Sequence, residues 1–322
     1  MLQVIPLAEW LVEHGIGEIR AILVDQGTVV AARLDWPGSL AAGQVEDAKL
    51  IARATGSRRG TVRFAGGEEA LVDQLPPDAR EGALIRVKVL RAAMAEAGRL
   101  KRAQARPTTD AVCPAPGPSG RSVARFPGGL WDDVWTEAWQ GRVEFAGGAL
   151  TITPTPAMTV VDIDGDLPPR TLALAAVPSL AAALRRMDLA GSIAIDFPTL
   201  AEKTDRQAVD VALATALSGW PHERTAMNGF GLVQLVARLE RPSLLHRLAA
   251  NRVGAAARML LRRAELINAA GPVLLLTAHP AVRAAIATGW LDELARRTGR
   301  SVRWQDEPGL ALDGGFAQAL QA

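Results

Sequence analysis

Four aspartates have the type and spacing to do chemistry. Asp162, Asp164 and Asp166 stand in A-M-T-V-V-D-I-D-G-D over residues 157–166, and Asp196 closes G-S-I-A-I-D-F over 191–197. Both stretches are short, apolar and β-branched, which predicts strands buried on both faces, each ending in an aspartate. Side chains alternate along a strand, so Asp162, Asp164 and Asp166 share one face if the strand runs that far. Carboxylates set side by side repel unless one keeps its proton or a cation lies between them. Oxygen ligands on a rigid edge suit Mg²⁺, which takes one or two carboxylates and completes its shell with water and substrate phosphate. The competing reading is that each aspartate only starts a turn or caps the next helix. An EF-hand loop fails, because the pattern needs glycine where Leu167 stands and glutamate where Ala173 stands.

Between the two aspartate stretches, residues 178–189 carry helical spacing. Val177, Leu180, Ala181, Leu184 and Met187 fall on one side, Pro178 suits a first turn and Gly191 comes just after the end. Strand, helix, strand in a right-handed crossover gives two parallel strands with Asp162 and Asp196 at one sheet edge.

The rest of the chain supplies the frame. Residues 18–25 and 28–34 predict a hairpin turning at Asp25-Gln26-Gly27. Short strands at 49–54, 60–64, 70–72 and 83–90 predict a small barrel. Arg58, Arg59, Arg91, Arg99, Lys101, Arg102 and Arg106 lie on it, either as a phosphate-tracking surface or as a solvated face running into a basic tail. Residues 107–129 are too rich in proline and glycine for a helix or strand interior and predict a linker, with Cys113 exposed in it. Trp131, Trp135 and Trp139 recur every fourth residue on one stripe of a helix over 130–140, read as core or interface packing in preference to a cofactor or base-stacking site. A hairpin over 142–153 leads into the first aspartate strand. Residues 205–217 predict a helix with Asp205 as its cap, and 231–239 a strand or helix start. The final third predicts one long helix over 244–270, a strand at 272–278, helices at 280–287 and 291–298, and a strand at 302–305, together a small α/β domain.

Composition bounds the partners. The 322 residues are 49% hydrophobic and 22% charged with a formal charge of +2, which permits a polyanionic partner without requiring one. The single cysteine excludes an internal disulfide framework and a cysteine-based zinc site within one chain. No apolar run reaches the length of a membrane span, and the start has no basic region of a signal peptide, so the cytoplasm is the expected place and no membrane partner is expected. Without tyrosine and with six phenylalanines, an aromatic platform for several bases has to come from tryptophan.

The aspartate segments resemble the ribonuclease E/G family of bacterial endoribonucleases. G-R-V-E-F-A-G-G-A-L-T-I-T-P-T-P-A-M-T-V-V-D-I-D over 141–164 is similar to the family's run into its first catalytic aspartate, and R-R-M-D-L-A-G-S-I-A-I-D-F over 185–197 to the segment with its second. D-R-Q-A-V, F-G-L-V-Q-L and P-S-L at 242–244 are similar to family segments C-terminal to that second aspartate. The resemblance implies a mixed α/β (α+β) chain: an N-terminal hairpin remaining from an RNase H-like fold over 1–38, an OB-type RNA-binding barrel over 39–106, the linker over 107–129, a DNase I-like nuclease domain over 130–245 and a small α/β domain over 246–322. It implies that Asp162 and Asp196 hold Mg²⁺ or Mn²⁺, with Asp164, where the family has asparagine, completing the catalytic set. It implies single-stranded RNA as substrate, 5′-phosphate and 3′-hydroxyl products, and RNA contacts through Arg185, Arg58, Arg59, Lys101 and Arg102.

The chain also departs from the family. The cysteine pair that shares zinc between subunits is absent, so no zinc is expected, and a homodimer through residues 246–322 is expected in place of a zinc-linked tetramer. The segment that senses a 5′-monophosphate is missing. A threonine–asparagine pair near the site is Leu172-Ala173, a basic position is Leu167, and a basic stretch is Val236-Ala237-Arg238-Leu239. The alternatives are a catalytically weak or inactive RNA-binding relative and a metal-binding phosphodiesterase of small nucleotides.

Overall fold

The computed structural model describes residues 8–96 and 99–321. It is a mixed α/β structure with a closed five-stranded barrel and several sheets. The chain opens with a meander of β1 (Glu9–Gly15), β2 (Glu18–Asp25) and β3 (Thr28–Asp35), the last two joined at the predicted turn. The barrel comes next: β4 (Val45–Arg53), β5 (Gly60–Arg63), β6 (Glu69–Val72) and β7 (Leu84–Arg91). A short ribbon of β8 (Met94–Glu96) and β9 (Arg99–Lys101) interrupts it before β10 (Ala103–Pro107) closes it. Closure comes from β10, which pairs parallel with β6 and antiparallel with β7. Small and branched aliphatic residues face inward, among them Ala48, Leu50, Val62, Val72, Val87 and Ala105, and form a core separate from that of the remaining chain.

The proline- and glycine-rich stretch is more ordered than a linker. Cys113, exposed as read from the sequence, bridges to Val45, and β11 (Arg121–Val123) adds to β1 in parallel, making a four-stranded sheet. Three residues of pairing are too few for a composition rule to register.

α1 (Leu130–Gln140) has the predicted bounds, and its three tryptophans are buried. The central sheet comprises β12 (Arg142–Phe145), β13 (Gly148–Pro154), β14 (Thr159–Gly165), β15 (Gly191–Asp196), β16 (Glu223–Arg224) and β17 (Leu232–Ala237), in the order β12-β13-β14-β15-β17-β16. Between β14 and β15 runs α2 (Pro169–Arg186), and between β15 and β16 runs α3 (Lys203–Ala216). α2 is nine residues longer at its start than the predicted helix. Pro169 takes the first-turn position, and Pro178 lies inside on the exposed side, where water can satisfy the carbonyl its missing N–H leaves free. Asp205 is in the first turn of α3 rather than its cap and pairs with Arg170.

The predicted long helix over 244–270 is two helices, α4 (Leu244–Ala250) and α5 (Arg252–Glu265), broken at Asn251. β18 (Val273–Ala278), α6 (Pro280–Ala284), α7 (Trp290–Thr298) and β19 (Ser301–Asp306) then run in the predicted order. β20 (Phe316–Leu320), absent from the sequence reading, pairs antiparallel with β18. One continuous core takes in Ile22 of β2, Trp131 of α1, Leu180 of α2, Ile195 of β15, Leu260 of α5 and Leu276 of β18. Within it Arg20 is fully buried, its charge held by Glu13 and Glu18, while Glu13 also accepts from Arg262 of α5.

Candidate functional site

The predicted strand–helix–strand order with parallel strands is present. β14 and β15 are parallel neighbours, α2 lies between them in sequence, and Asp162 and Asp196 are direct register partners. Adjacent strands run about 4.8 Å apart, and paired positions face the same side, so the two carboxylates stand abreast. The register extends the row. Arg142 pairs with Thr151, Thr151 with Asp162, Asp162 with Asp196, and Asp196 with Leu232, so these five residues cross the sheet on one face. Asp164, two residues along β14, shares that face, whereas Asp166 lies beyond the strand end.

Two expectations need correction. Asp162 is not a strand end, since β14 continues to Gly165. Nor is the strand pair buried on both faces. Val161, Ile163, Ile193 and Ile195 turn into the core, while Asp162, Asp164 and Asp196 are exposed on the other face. The sequence looked continuously apolar because Val160 and Ala194 sit on the outer face, shielded by neighbours. α2 is in contact with β12, β13 and β14, and α3 with α2, so the helices cover the inner face.

Glycine sets two edges of the site. A Cβ on Gly165 would come within 2.2 Å of the Gly147 carbonyl oxygen, so only glycine lets β14 end against the β12–β13 turn just past Asp164. Gly231 has φ +89°, and a Cβ there would meet the Phe197 carbonyl at 2.4 Å. That close approach brings β17 alongside the residue after Asp196.

Crowding of negative charge acts on the carboxyl of Asp162. Its pKa is raised by partial desolvation, by the nearby charges of Asp164 and Asp196, and by a hydrogen bond with the Asp164 carboxyl. No ion pair among the described residues involves any of the three. The cation in the same row, Arg142, lies two strands from Asp162, about 10 Å at backbone level, and pairs loosely with Glu144 at 3.5 Å. Among the described residues no group of three or more His, Cys, Asp or Glu side chains is arranged to hold a metal ion. A magnesium site needs only one or two carboxylates, the balance coming from water and phosphate. The paired Asp162 and Asp196, with the Thr151 hydroxyl beside them, form an all-oxygen donor set of unbalanced negative charge that fits such an ion.

The predicted RNA contacts are not gathered at this row. Arg185 donates to the carbonyls of Ala216 and Ser218 at 3.1 Å each, closing the C-terminal end of α3 on the helical side of the sheet. Arg58 donates to the Leu75 and Gln74 carbonyls within the barrel. Lys101 pairs with Glu96 at 3.5 Å and Arg102 with Glu69 at 3.7 Å, whereas Arg59 is exposed. The ribbon carrying Lys101 docks near Thr159, at the end of β14 opposite the carboxylates. That is about 10 Å from Asp162 along the strand.

Two residues were missed. Arg142 was legible in principle, because the hairpin register over 142–153 fixes its place in the row. Phe230 is 83% exposed just before β17, with its backbone N–H and that of Leu232 both donating to the Asn228 side chain. An exposed phenylalanine on a pinned turn beside the cross-strand neighbour of Asp196 has no signal in hydrophobic periodicity. Comparison of the chain with models of known protein families, and with curated proteins, finds no match in either case. Among the described residues no helix is long and apolar enough to cross a membrane.

Proposed function

We propose that the protein is a metal-dependent endoribonuclease acting on single-stranded RNA, leaving 5′-phosphate and 3′-hydroxyl ends. The observation that carries this reading is the in-register pairing of Asp162 with Asp196 on an open sheet face. The resemblance of residues 141–197 to the ribonuclease E/G family adds to it. Asp162 and Asp196 would hold Mg²⁺ or Mn²⁺, with Asp164 on the same face completing the set. A divalent ion bound there supplies Lewis-acid polarisation of a phosphoryl oxygen and a more acidic water. Arg142, in the same row, is placed to take a neighbouring backbone phosphate. Phe230 offers a face on which one base can stack, a contact tolerant of sequence. An uncovered face admits a strand and would leave a small nucleotide exposed, which favours the polymer as substrate.

The test is incubation of end-labelled single-stranded RNA with and without Mg²⁺, then mapping of the ends. Wild type is expected to cut only with the metal, and Asp196→Asn to lose at least about a hundredfold in rate while melting no lower than wild type. Full activity in a folded Asp196→Asn protein overturns the proposal. One observation favours a second reading, an RNA-binding relative that does not cut: Arg58, Arg59 and Arg102 are exposed on the barrel, away from the carboxylates. It predicts RNA retention that falls with salt and no metal-dependent product.

A further inference from the structure

A second cluster of charge lies away from the carboxylate row, around a cavity of about 60 Å³ where β3, the barrel and the start of α4 meet. Its walls include Arg33 and Asp35 of β3, Ala92 after β7, Pro116, Arg241 and Arg247. The three arginines are unequally satisfied. Arg241 is well paired, with Asp188 at 2.6 Å and Glu240 at 3.6 Å. Arg247 is largely buried, reaches Asp35 only at 3.5 Å, and its buried Nε has no hydrogen-bond partner among the described residues. Arg33 forms no ion pair among the described residues, and its guanidinium lies 4.9 Å from the centre of the Trp10 ring. Arg258 is close enough to share the Trp36 ring with Arg247.

Burial holds the pKa of both Arg33 and Arg247 down, and the neighbouring Arg241 pushes each further the same way. Three guanidinium groups, Arg33, Arg241 and Arg247, and one carboxylate, Asp35, line the cavity itself, while Asp188 and Glu240 pair with Arg241 from outside the lining. A desolvated guanidinium with a missing partner costs on the order of 1–3 kcal/mol, more when charged. Such groups are few in folded proteins, and an ordered water or an ion is what completes them where they are not strained. Three arginines, from β3, from the loop before α4 and from α4 itself, line this one space, so an anion with several acceptor oxygens can complete them together. Phosphate is such an anion, and arginine is the side chain that recognises it in fork-to-oxygen fashion. One water needs roughly 10–15 Å³ of such space, so the cavity has room for one tetrahedral oxyanion. It is a recess rather than a through-groove, which suits a terminal phosphate and not an internal diester.

We propose that this cavity binds a phosphate group, free or as the terminal group of a small phosphomonoester. The assignment is independent of the carboxylate row and of the nuclease reading. Arg33 supplies the unpaired charge, Arg247 the unpartnered Nε, and Asp35 opposes the anion and limits its affinity.

Calorimetric titration of the full chain with inorganic phosphate and with adenosine monophosphate, at constant ionic strength in chloride, tests it. Saturable binding of inorganic phosphate is expected in the wild type. Arg33→Gln, which strands no carboxylate, is expected to weaken it at least about tenfold. Asp35→Asn, which removes the opposing charge and releases Arg247, is expected to tighten it. Binding of both probes assigns a phosphomonoester, and binding of inorganic phosphate alone assigns the free anion. Absence of saturable binding to either probe, or an Arg33→Gln protein that is folded by circular dichroism and binds as tightly as wild type, overturns the proposal.

Discussion

A carboxylate that holds its proton more tightly than usual is one whose surroundings resist its charge, and Asp162 is such a group. Because its pKa is higher in the folded chain than in the unfolded one, the folded state binds the extra proton. The associated stability is present below the unfolded pKa and is lost as pH rises through the folded value. At neutral pH the ionised form of Asp162 therefore works against the fold. Like charges directly opposite on neighbouring strands cost about 0.2–1 kcal/mol. Asp162→Asn is accordingly expected to raise stability by that amount at pH 7–8, with the gain shrinking as pH falls into the carboxylate range. Added Mg²⁺ should stabilise wild type and not the variant. Denaturant melts across pH with and without the metal measure this, and a variant less stable than wild type at pH 8 contradicts it. The trio was legible because strand periodicity and the βαβ rule depend only on local residue type. The exposure of the row was not, since shielding of Val160 and Ala194 depends on neighbours distant in sequence.

At the scale of elements, the break between α4 and α5 shows what periodicity hides. Apolar spacing runs on through Leu248, Ala255 and Leu260, so a single helix is the natural reading. Asn251 instead takes φ −142° and ψ 66°, outside the helical region, and its side chain accepts from the Gly254 N–H at 2.9 Å. An asparagine that caps the next helix offers its backbone an alternative to helix. Asn251→Ala is expected to cost about 1 kcal/mol, and Asn251→Asp to retain most of that stability. Urea denaturation of the three proteins decides between a cap and an incidental kink; equal stability of wild type and Asn251→Ala rejects the cap. The helix start at Pro169 was lost for a related reason. Pro178 imitates a first-turn proline, and only packing of Leu172 and Ala173 beneath the sheet shows that the helix is already under way. The short strands β11 and β20 exist through partners far along the chain, so no window of sequence contains their cause.

At the scale of the whole molecule, distant segments are joined by charge as well as by apolar contact. Glu13 of β1 accepts from Arg262 of α5, and Arg262 also reaches Asp132 of α1 at 3.2 Å. No local pattern announces such a network, because each residue alone resembles a solvated charge. The C-terminal sheet has two unlike edges. β19 carries Arg303 and Asp306, charges that discourage pairing with another strand. β20 reads F-A-Q-A-L with no charge, and Phe316 is 40% exposed. An uncharged edge beside an exposed aromatic favours strand addition between two copies related by a two-fold axis. A homodimer through β20, insensitive to chelators, is therefore predicted. Light scattering at micromolar concentration should give twice the chain mass before and after EDTA, and the chain mass for Phe316→Lys. A wild-type monomer, dissociation by EDTA, or a Phe316→Lys protein that remains dimeric would each show that the edge of β20 does not join two copies.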